Sequence, residues 1–351
     1  MTLHIFNPEH DLALAANLSN FTAPHAGRQL RADLGYIPAL WAMEDDVVLV
    51  ENVEDAEWRY RLLVRRPFER FITKEQVAHL TITGVDVWGW DLAIRTFLIR
   101  QGVAEHLLPS KYQTDMIREL SHRRYAQQVL AQLQGEGIIG EAVMTDSPTV
   151  VREYLEKMGK IVVKAPWSSS GRGVRFLDKE INNPDAGWLK NVILHQGAVM
   201  VEPYYNKVKD FGMEFESDGE GHVSYLGLSL FHTANGAYTG NILASEEEKY
   251  DMINRYISME TLSVIQQKIV IMAGDLYKGK YKGPFGVDMM LVARDDKEGF
   301  LLHPCVEINL RRTMGHVALS LTRQLRGLPR VMHIEYDKNM YKIISPTKWQ
   351  G

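Results

Sequence analysis

The chain has 351 residues, 40 basic against 44 acidic side chains, a formal net charge of −4, and 45% hydrophobic and 24% charged residues. That is ordinary globular composition, so bulk disorder and collagen-like repeats are excluded, and the balanced charge gives no global pull toward nucleic acid or an anionic membrane. A single cysteine, Cys305, excludes an internal disulfide, and no apolar run approaches the ~18 residues of a membrane span. The length fits two or three domains at roughly 150 residues each. The first residues include Glu9 and Asp11 and no apolar core, so no secretory signal is expected and the chain reads as soluble and cytoplasmic.

Residues 3–6, 47–51 and 84–88 read as short buried strands, and 91–101 as a helix. Strands alternating with helices predict an α/β unit with a largely parallel sheet, ending near Pro109-Ser110. Residues 111–134 read as helical, interrupted at 120–122, with Ser121 as the N-cap of the second piece. Ser147 or Thr149 starts an amphipathic helix that ends at Met158. Residues 160–164 and 197–202 are predicted strands, the second stopped by Pro203. Strands at 222–231 and 287–292 bracket a helix at 259–276; a strand at 300–310 and a helix at 316–325 follow. The part after Ser110 is thus α+β and long enough for two lobes.

Three motifs carry chemistry. In Ile161-Val-Val-Lys-Ala-Pro-Trp-Ser-Ser-Ser-Gly-Arg-Gly-Val174 a strand ends in Lys164 and enters a small-residue loop. Gly171 and Gly173 permit unusual backbone angles, Ser168, Ser169 and Ser170 add hydroxyls, and Lys164 adds positive charge, a combination suited to a polyphosphate. No helix opens after a Gly-Lys-Ser/Thr, so this is not a Walker loop; a plain hairpin with an edge lysine is the alternative. In Val199-Met-Val-Glu-Pro-Tyr-Tyr205 a proline cuts off a strand beside Glu202, leaving backbone groups able to read an adenine edge, and Asp210 can accept ribose hydroxyls. Finally, Gly283 to Val292 and Phe300 to Leu310 predict a hairpin that places Asp288 opposite Cys305, with Glu307 a diagonal neighbour and Asn309 on the same face as Glu307. Three hard-oxygen side chains on one surface suit Mg²⁺; a solvated sheet face is the bland reading.

The order of these motifs resembles the ATP-grasp superfamily over roughly residues 111–325. The resemblance implies a Rossmann-like pre-ATP-grasp domain over 1–110 and a two-lobed ATP-grasp domain over 111–351, with a lid at about 140–201 and a metal lobe at about 202–330. By position, Lys164 resembles the lysine on the α/β-phosphates, Ser168 to Gly173 the mobile phosphate loop, Glu202 the adenine hinge, Asp210 the ribose acid, and Asp288, Glu307 and Asn309 the ligands of two Mg²⁺ ions. Arg123 stands where the family has an early lysine, with Arg124 second, and Leu310 stands where a proline often follows the asparagine.

The resemblance implies an ATP- and Mg²⁺-dependent ligase that joins a small carboxylate to an amine or thiol through an acyl phosphate. Arg311, sharing a face with Glu307 and Asn309, is preferred over Arg312 as the clamp on the acceptor carboxylate. The alternatives are a kinase on the same fold acting on a small hydroxyl acceptor, a non-catalytic nucleotide-binding module, and an unrelated α/β binding protein. A homodimer is compatible with the family. Weaker candidates are His10, Asp11, His25 and Arg28 for an acceptor site, residues 231–240 as a loop covering it, and the Lys278, Lys280 and Lys282 cluster. Cys305 reads as packed core, and Trp167 as a possible neighbour of the phosphate loop.

Overall fold

The computed structural model describes residues 1–168, 173–234, 237–295, 298–325 and 330–348. Three sheets order the chain. The first holds β1 (Thr2–Ile5), β2 (Val47–Leu49), β3 (Phe71–Ile72) and β4 (Gly84–Val87). Between and after them lie α1 (His10–Ala16), α2 (His25–Leu34), α3 (Val53–Val64), α4 (Lys74–Val77) and α5 (Leu92–Arg100). All three pairings are parallel, in the order β3-β2-β1-β4. Val47 and Val48 are both buried, as expected for a parallel strand covered on two faces. The chain winds outward from β1 to β3 and then returns to the other side of β1. Strand order therefore reverses between β1 and β4, the position where open α/β sheets hold ligands at their carboxyl ends.

Next come α6 (Lys111–Leu120) and α7 (Arg124–Gln132). The second sheet comprises β5 (Val143–Thr145), β6 (Lys160–Lys164), β7 (Val174–Asp178) and β8 (Val199–Pro203), antiparallel in the order β5-β8-β6-β7. Helices α8 (Pro148–Met158) and α9 (Asn183–Gln196) supply Val151, Leu155, Leu189 and Val192 to its core.

The third sheet has seven strands, in the order β13-β12-β9-β10-β11-β14-β15. They are β9 (Lys207–Ser217), β10 (Val223–Ala234), β11 (Ala237–Leu243), β12 (Gly283–Ala293), β13 (Phe300–Asn309), β14 (Arg330–Asp337) and β15 (Met340–Lys348). Helices α10 (Glu246–Asn254) and α11 (Met259–Tyr277) precede β12, and α12 (Met314–Gln324) follows β13. Alternation along β9 divides its faces. Phe211, Met213 and Phe215 are fully buried in a core shared with Ile265 and Ile269 of α11, and each contributes on the order of 1.5–3 kcal/mol. Asp210, Gly212 and Glu214 take the opposite face, which carries the site.

Four expectations need correcting. Arg123, not Ser121, is the N-cap of the second helix; the Ser121 hydroxyl donates back to the Ile117 carbonyl, while Ser110 builds a capping box on α6. The segment at 231–240 is not a loose cover: its described part pairs as the β10–β11 hairpin. The hairpin register runs as the turn dictates from Ala293↔Phe300 to Met290↔His303, then shifts so that Asp288 lies opposite Glu307 instead of Cys305. Pro304 has no N–H for the ladder and lies inside the shifted stretch, where a bulge adds two residues to β13. Lastly, the large sheet does not stop at 330. The β14–β15 hairpin returns to the first unit, where Tyr341 N–H donates to Asp33 Oδ2 at 2.8 Å, and Met332 and Ile343 share a core with Phe6, Val48 and Trp88. Among the described residues no helix is long and apolar enough to cross a membrane.

Candidate active site

Lys164 ends β6 and is buried, its Nζ 2.6 Å from Glu202 Oε2 on the neighbouring β8. The register sets Val162 opposite Glu202, so the lysine reaches one rung along the ladder to its partner. Ser169, Ser170 and Gly171 lie outside the described residues. Gly173 does not occupy a positive-φ conformation. It is needed for space, since a Cβ there would sit 2.1 Å from the Ser168 Cβ, and its carbonyl accepts from Ala165 N–H at 2.8 Å to close the loop base.

Arg123 joins that loop base to the carboxylate strands. Its NH1 donates to the Ala165 carbonyl at 2.5 Å and to Ser168 Oγ at 2.8 Å, and its NH2 to Glu307 Oε1 at 2.6 Å. The buried Nε has no hydrogen-bond partner among the described residues, a costly state that an added anion would relieve. Arg124 points elsewhere, to Glu119. Trp167 braces this corner: the Arg118 guanidinium lies 3.9 Å from its ring centroid, its Nε1 donates to the Arg118 carbonyl, and His122 packs edge-on at 4.7 Å. Burial, then Arg118 and Arg123, push the His122 imidazole down to about 4, so it stays neutral.

Beyond Arg123 lie the carboxylates. Asp288 is directly opposite Glu307, and Asn309 Nδ2 donates to Asp288 Oδ2 at 3.0 Å. Gly212 forms the floor, since a Cβ there would touch Asp288 Oδ1 at 3.4 Å. Burial, then the charges of Glu307 and Glu214, raise the Asp288 carboxyl to about 8. This corner therefore holds more negative charge than its own cations balance, which fits a divalent cation. No group of three or more His, Cys, Asp or Glu among the described residues could hold a metal. Two hard carboxylates completed by phosphate oxygens and water are a set Mg²⁺ accepts. Asn309 is committed as a bridge, its Oδ1 accepting from Arg311 NH2 at 2.9 Å.

The fork of Arg311 is already engaged. Its Nε and NH2 donate to the two carboxylate oxygens of Asp11 at 3.0 and 2.8 Å, and NH1 to the Arg312 carbonyl at 3.0 Å. Burial opposes ionisation of Asp11, but Arg311, with His10 and Arg123, outweighs it and holds the carboxyl below its usual range. Arg312 turns away to Asp86 at 2.9 Å and to the Trp41 face at 4.4 Å. Asp210 is held by Lys207 Nζ and Thr233 Oγ1, both at 2.6 Å. His25 and the 278, 280 and 282 lysines are exposed, and Arg28 bonds the Ala23 carbonyl. Cys305 is packed core.

Sequence reasoning missed two residues here. Glu214 is buried with its Oε2 3.0 Å from His316 Nδ1, a nitrogen that already accepts from Thr313 N–H; its signal was an acid at even spacing from Asp210. His303 is buried with both ring nitrogens unpartnered among the described residues, edge-on to Tyr205 at 5.7 Å. Burial and Lys164 hold it near pKa 3. A histidine inside an apolar strand was its only trace.

No protein-family model matches the sequence, and no curated protein does. Solved structures do match in backbone. The chain is similar to biotin carboxylase from Campylobacter jejuni in a β,γ-ATP complex, at TM-score 0.54 and 12% identity over 97% of this chain and 77% of that one. It is similar to the biotin carboxylase domain of Hydrogenobacter thermophilus 2-oxoglutarate carboxylase with MgADP and bicarbonate, at 0.52 and 13% over 95% and 74%. It is also similar to N5-carboxyaminoimidazole synthetase from Staphylococcus aureus with ADP, at 0.50 and 14% over 96% and 83%. These are ATP-grasp proteins, and the chain has the ATP-grasp fold.

Proposed function

We propose that this protein is an ATP- and Mg²⁺-dependent ligase that activates a small carboxylate as an acyl phosphate and passes it to an amine or thiol. The observation that carries the reading is the convergence of Lys164, Arg123, Asp288, Glu307 and Arg311 from four separate elements, linked by Arg123 bonding both the loop base and Glu307. The ADP and ATP complexes of the similar structures support the nucleotide assignment.

In this reading the nucleotide lies between the second and third sheets. Lys164 leaves Glu202 partly or wholly to meet phosphate oxygens, and the unpartnered Arg123 Nε takes another. Asp288 and Glu307 hold Mg²⁺, which supplies charge neutralisation for the transferred phosphoryl group. Glu202 and the residues after it frame the base, with His303 beneath them. Asp210 receives the ribose. Arg311 orients the acceptor carboxylate once that carboxylate displaces Asp11 from its fork. The protein's task is positioning and charge balance, which suits chemistry carried mainly by the substrates.

Thermal unfolding with and without Mg·ATP tests the reading. A ligand at 100 times its dissociation constant adds about 2.7 kcal/mol. The expected result is a clear rise in the wild type and a smaller ligand-induced rise in Glu307→Ala, compared with each variant's own ligand-free value. No rise at millimolar Mg·ATP would sink the proposal. ADP release across a panel of amino acids then identifies the carboxylate.

A further inference from the structure

The segment Asn7-Pro-Glu-His-Asp11 leaves the carboxyl end of β1, and Trp88-Gly-Trp-Asp91 leaves that of β4, on either side of the strand-order reversal. The two are joined by a buried network. Asn7 Nδ2 donates to the Gly89 carbonyl at 2.8 Å and to Asp91 Oδ2 at 3.3 Å, and Gly89 N–H donates to Asn7 Oδ1 at 3.3 Å. His10 Nδ1 lies 3.2 Å from the same Asp91 Oδ2. The ring lies on Gly89, where a Cβ would fall 2.6 Å from it. Asp91 Oδ1 meanwhile caps α5 through Ile94 N–H at 2.9 Å. His10 and Asp91 are among the most enclosed polar residues of the chain, at 1% and 2% exposure.

An ionised carboxylate only accepts, so the Nδ1 facing it is the donor, and Nε2 is the ring nitrogen left for another partner. That nitrogen makes no hydrogen bond among the described residues. The chain beside the dyad meets the site by two contacts: Asp11, next to His10, grips Arg311, and the carbonyl of Trp88, three residues before Asp91, accepts from Arg312 N–H at 2.8 Å.

We propose that His10 is the general base for the second half-reaction, oriented by Asp91, and the step and test are written for an amine nucleophile. This rests on the ligase reading above. The amine nitrogen attacks the acyl phosphate carbon and a C–N bond forms. The C–O bond breaks with its electron pair, releasing phosphate, and the proton shed by nitrogen passes to His10 Nε2.

The test uses the full chain, Mg·ATP and a panel of the twenty L-amino acids, supplied first as carboxylates with hydroxylamine and then pairwise as amines. Hydroxylamine is unprotonated at neutral pH and needs no base, so hydroxamate marks the acyl phosphate alone. In His10→Gln, amine-dependent phosphate release should fall about 100-fold or more, and hydroxylamine should rescue turnover. Asp91→Asn keeps the helix cap through Oδ1 but turns an NH2 toward His10 Nδ1 and Asn7 Nδ2, so amide formation should fall further than hydroxamate formation in the folded variant. Equal loss of hydroxamate and amide in His10→Gln would assign His10 to packing, and unchanged amide formation would remove it as the base; either overturns the inference. Wild type that yields no hydroxamate with any panel carboxylate, yet is stabilised by Mg·ATP, would instead count against the ligase reading.

Discussion

Two ion pairs of the proposed site are built in opposite ways. Lys164 and Glu202 sit on hydrogen-bonded neighbours of one sheet, with side chains 10% and 8% exposed. Asp11, in α1, and Arg311, in the connection after β13, are 300 residues apart and remain 19% and 13% exposed. The first pair is held by a ladder and closed off from water. The second is held by the docking of two units and is, in the proposed function, the pair that a substrate carboxylate displaces. Neither pair is open to solvent, so in both cases the ligand that displaces one partner has to supply a replacement charge.

The largest expected effect tests the closed pair. Lys164→Ala leaves Glu202 buried without a partner and should cost about 3–5 kcal/mol in urea unfolding. Lys164→Met combined with Glu202→Leu removes both charges and should recover most of that loss. If the single and double variants lose equally, Glu202 is not the source of the cost, and the contrast between the two pairs fails.

The carboxylate corner between them sharpens the comparison through pH. Asp288 has its folded pKa raised to about 8. The folded protein therefore binds the extra proton between the unfolded value, about 4, and about 8. Over that window the ligand-free protein should lose stability as pH rises, by at most about 1.4 kcal/mol per unit. Asp288→Asn should flatten the slope and stabilise the ligand-free protein at pH 8, while abolishing the Mg·ATP-induced rise. The sign is opposite for Asp11, whose lowered pKa contributes stability above the unfolded value that disappears as pH falls through the folded one. A flat wild-type profile between pH 5 and 8, matched by Asp288→Asn, would contradict the charge excess.

These regions also differ in how much of them the sequence discloses. Strands β6, β8, β12 and β13 follow from apolar runs with turn residues at their ends, and Lys164, Glu202, Asp288 and Glu307 lie within them at short range. The Asp288 register was misread because the pairing rule assumes an unbroken ladder, and Pro304 breaks it. The Asp11–Arg311 and His10–Asp91 contacts left no pattern, because nothing local to residues 7–11 encodes what β4 or β13 brings near. Strand β9 was likewise silent: its charged residues alternate with a core face that only α11 completes.

On the proposed acceptor side, Gly89→Ala probes the histidine without touching its chemistry. The new methyl would meet the His10 ring at 2.6 Å, and overpacking of this kind costs typically about 1–3 kcal/mol. Displacement of the ring should reduce amide formation more than Mg·ATP binding, and a crystal structure of the variant should show the Nδ1–Asp91 distance lengthened from 3.2 Å. Equal losses of the two would mean that the two regions are mechanically one.

The smallest effect is expected at the rim. Lys207 meets Asp210 at 2.6 Å, but its side chain is 41% exposed and only three residues away in sequence. Exposed pairs contribute roughly 0–1 kcal/mol, so Lys207→Ala should leave urea unfolding nearly unchanged. Removing the lysine frees an oxygen of Asp210 that Thr233 Oγ1 still orients, so ribose binding should tighten or stay level. Titration of Mg·ATP against Mg·2′-deoxy-ATP in this variant and in Asp210→Asn separates the roles. If Asp210 receives the ribose, the preference for ATP survives in Lys207→Ala and vanishes in Asp210→Asn. If both variants discriminate as the wild type does, the acid belongs to the surface and the ribose is read elsewhere.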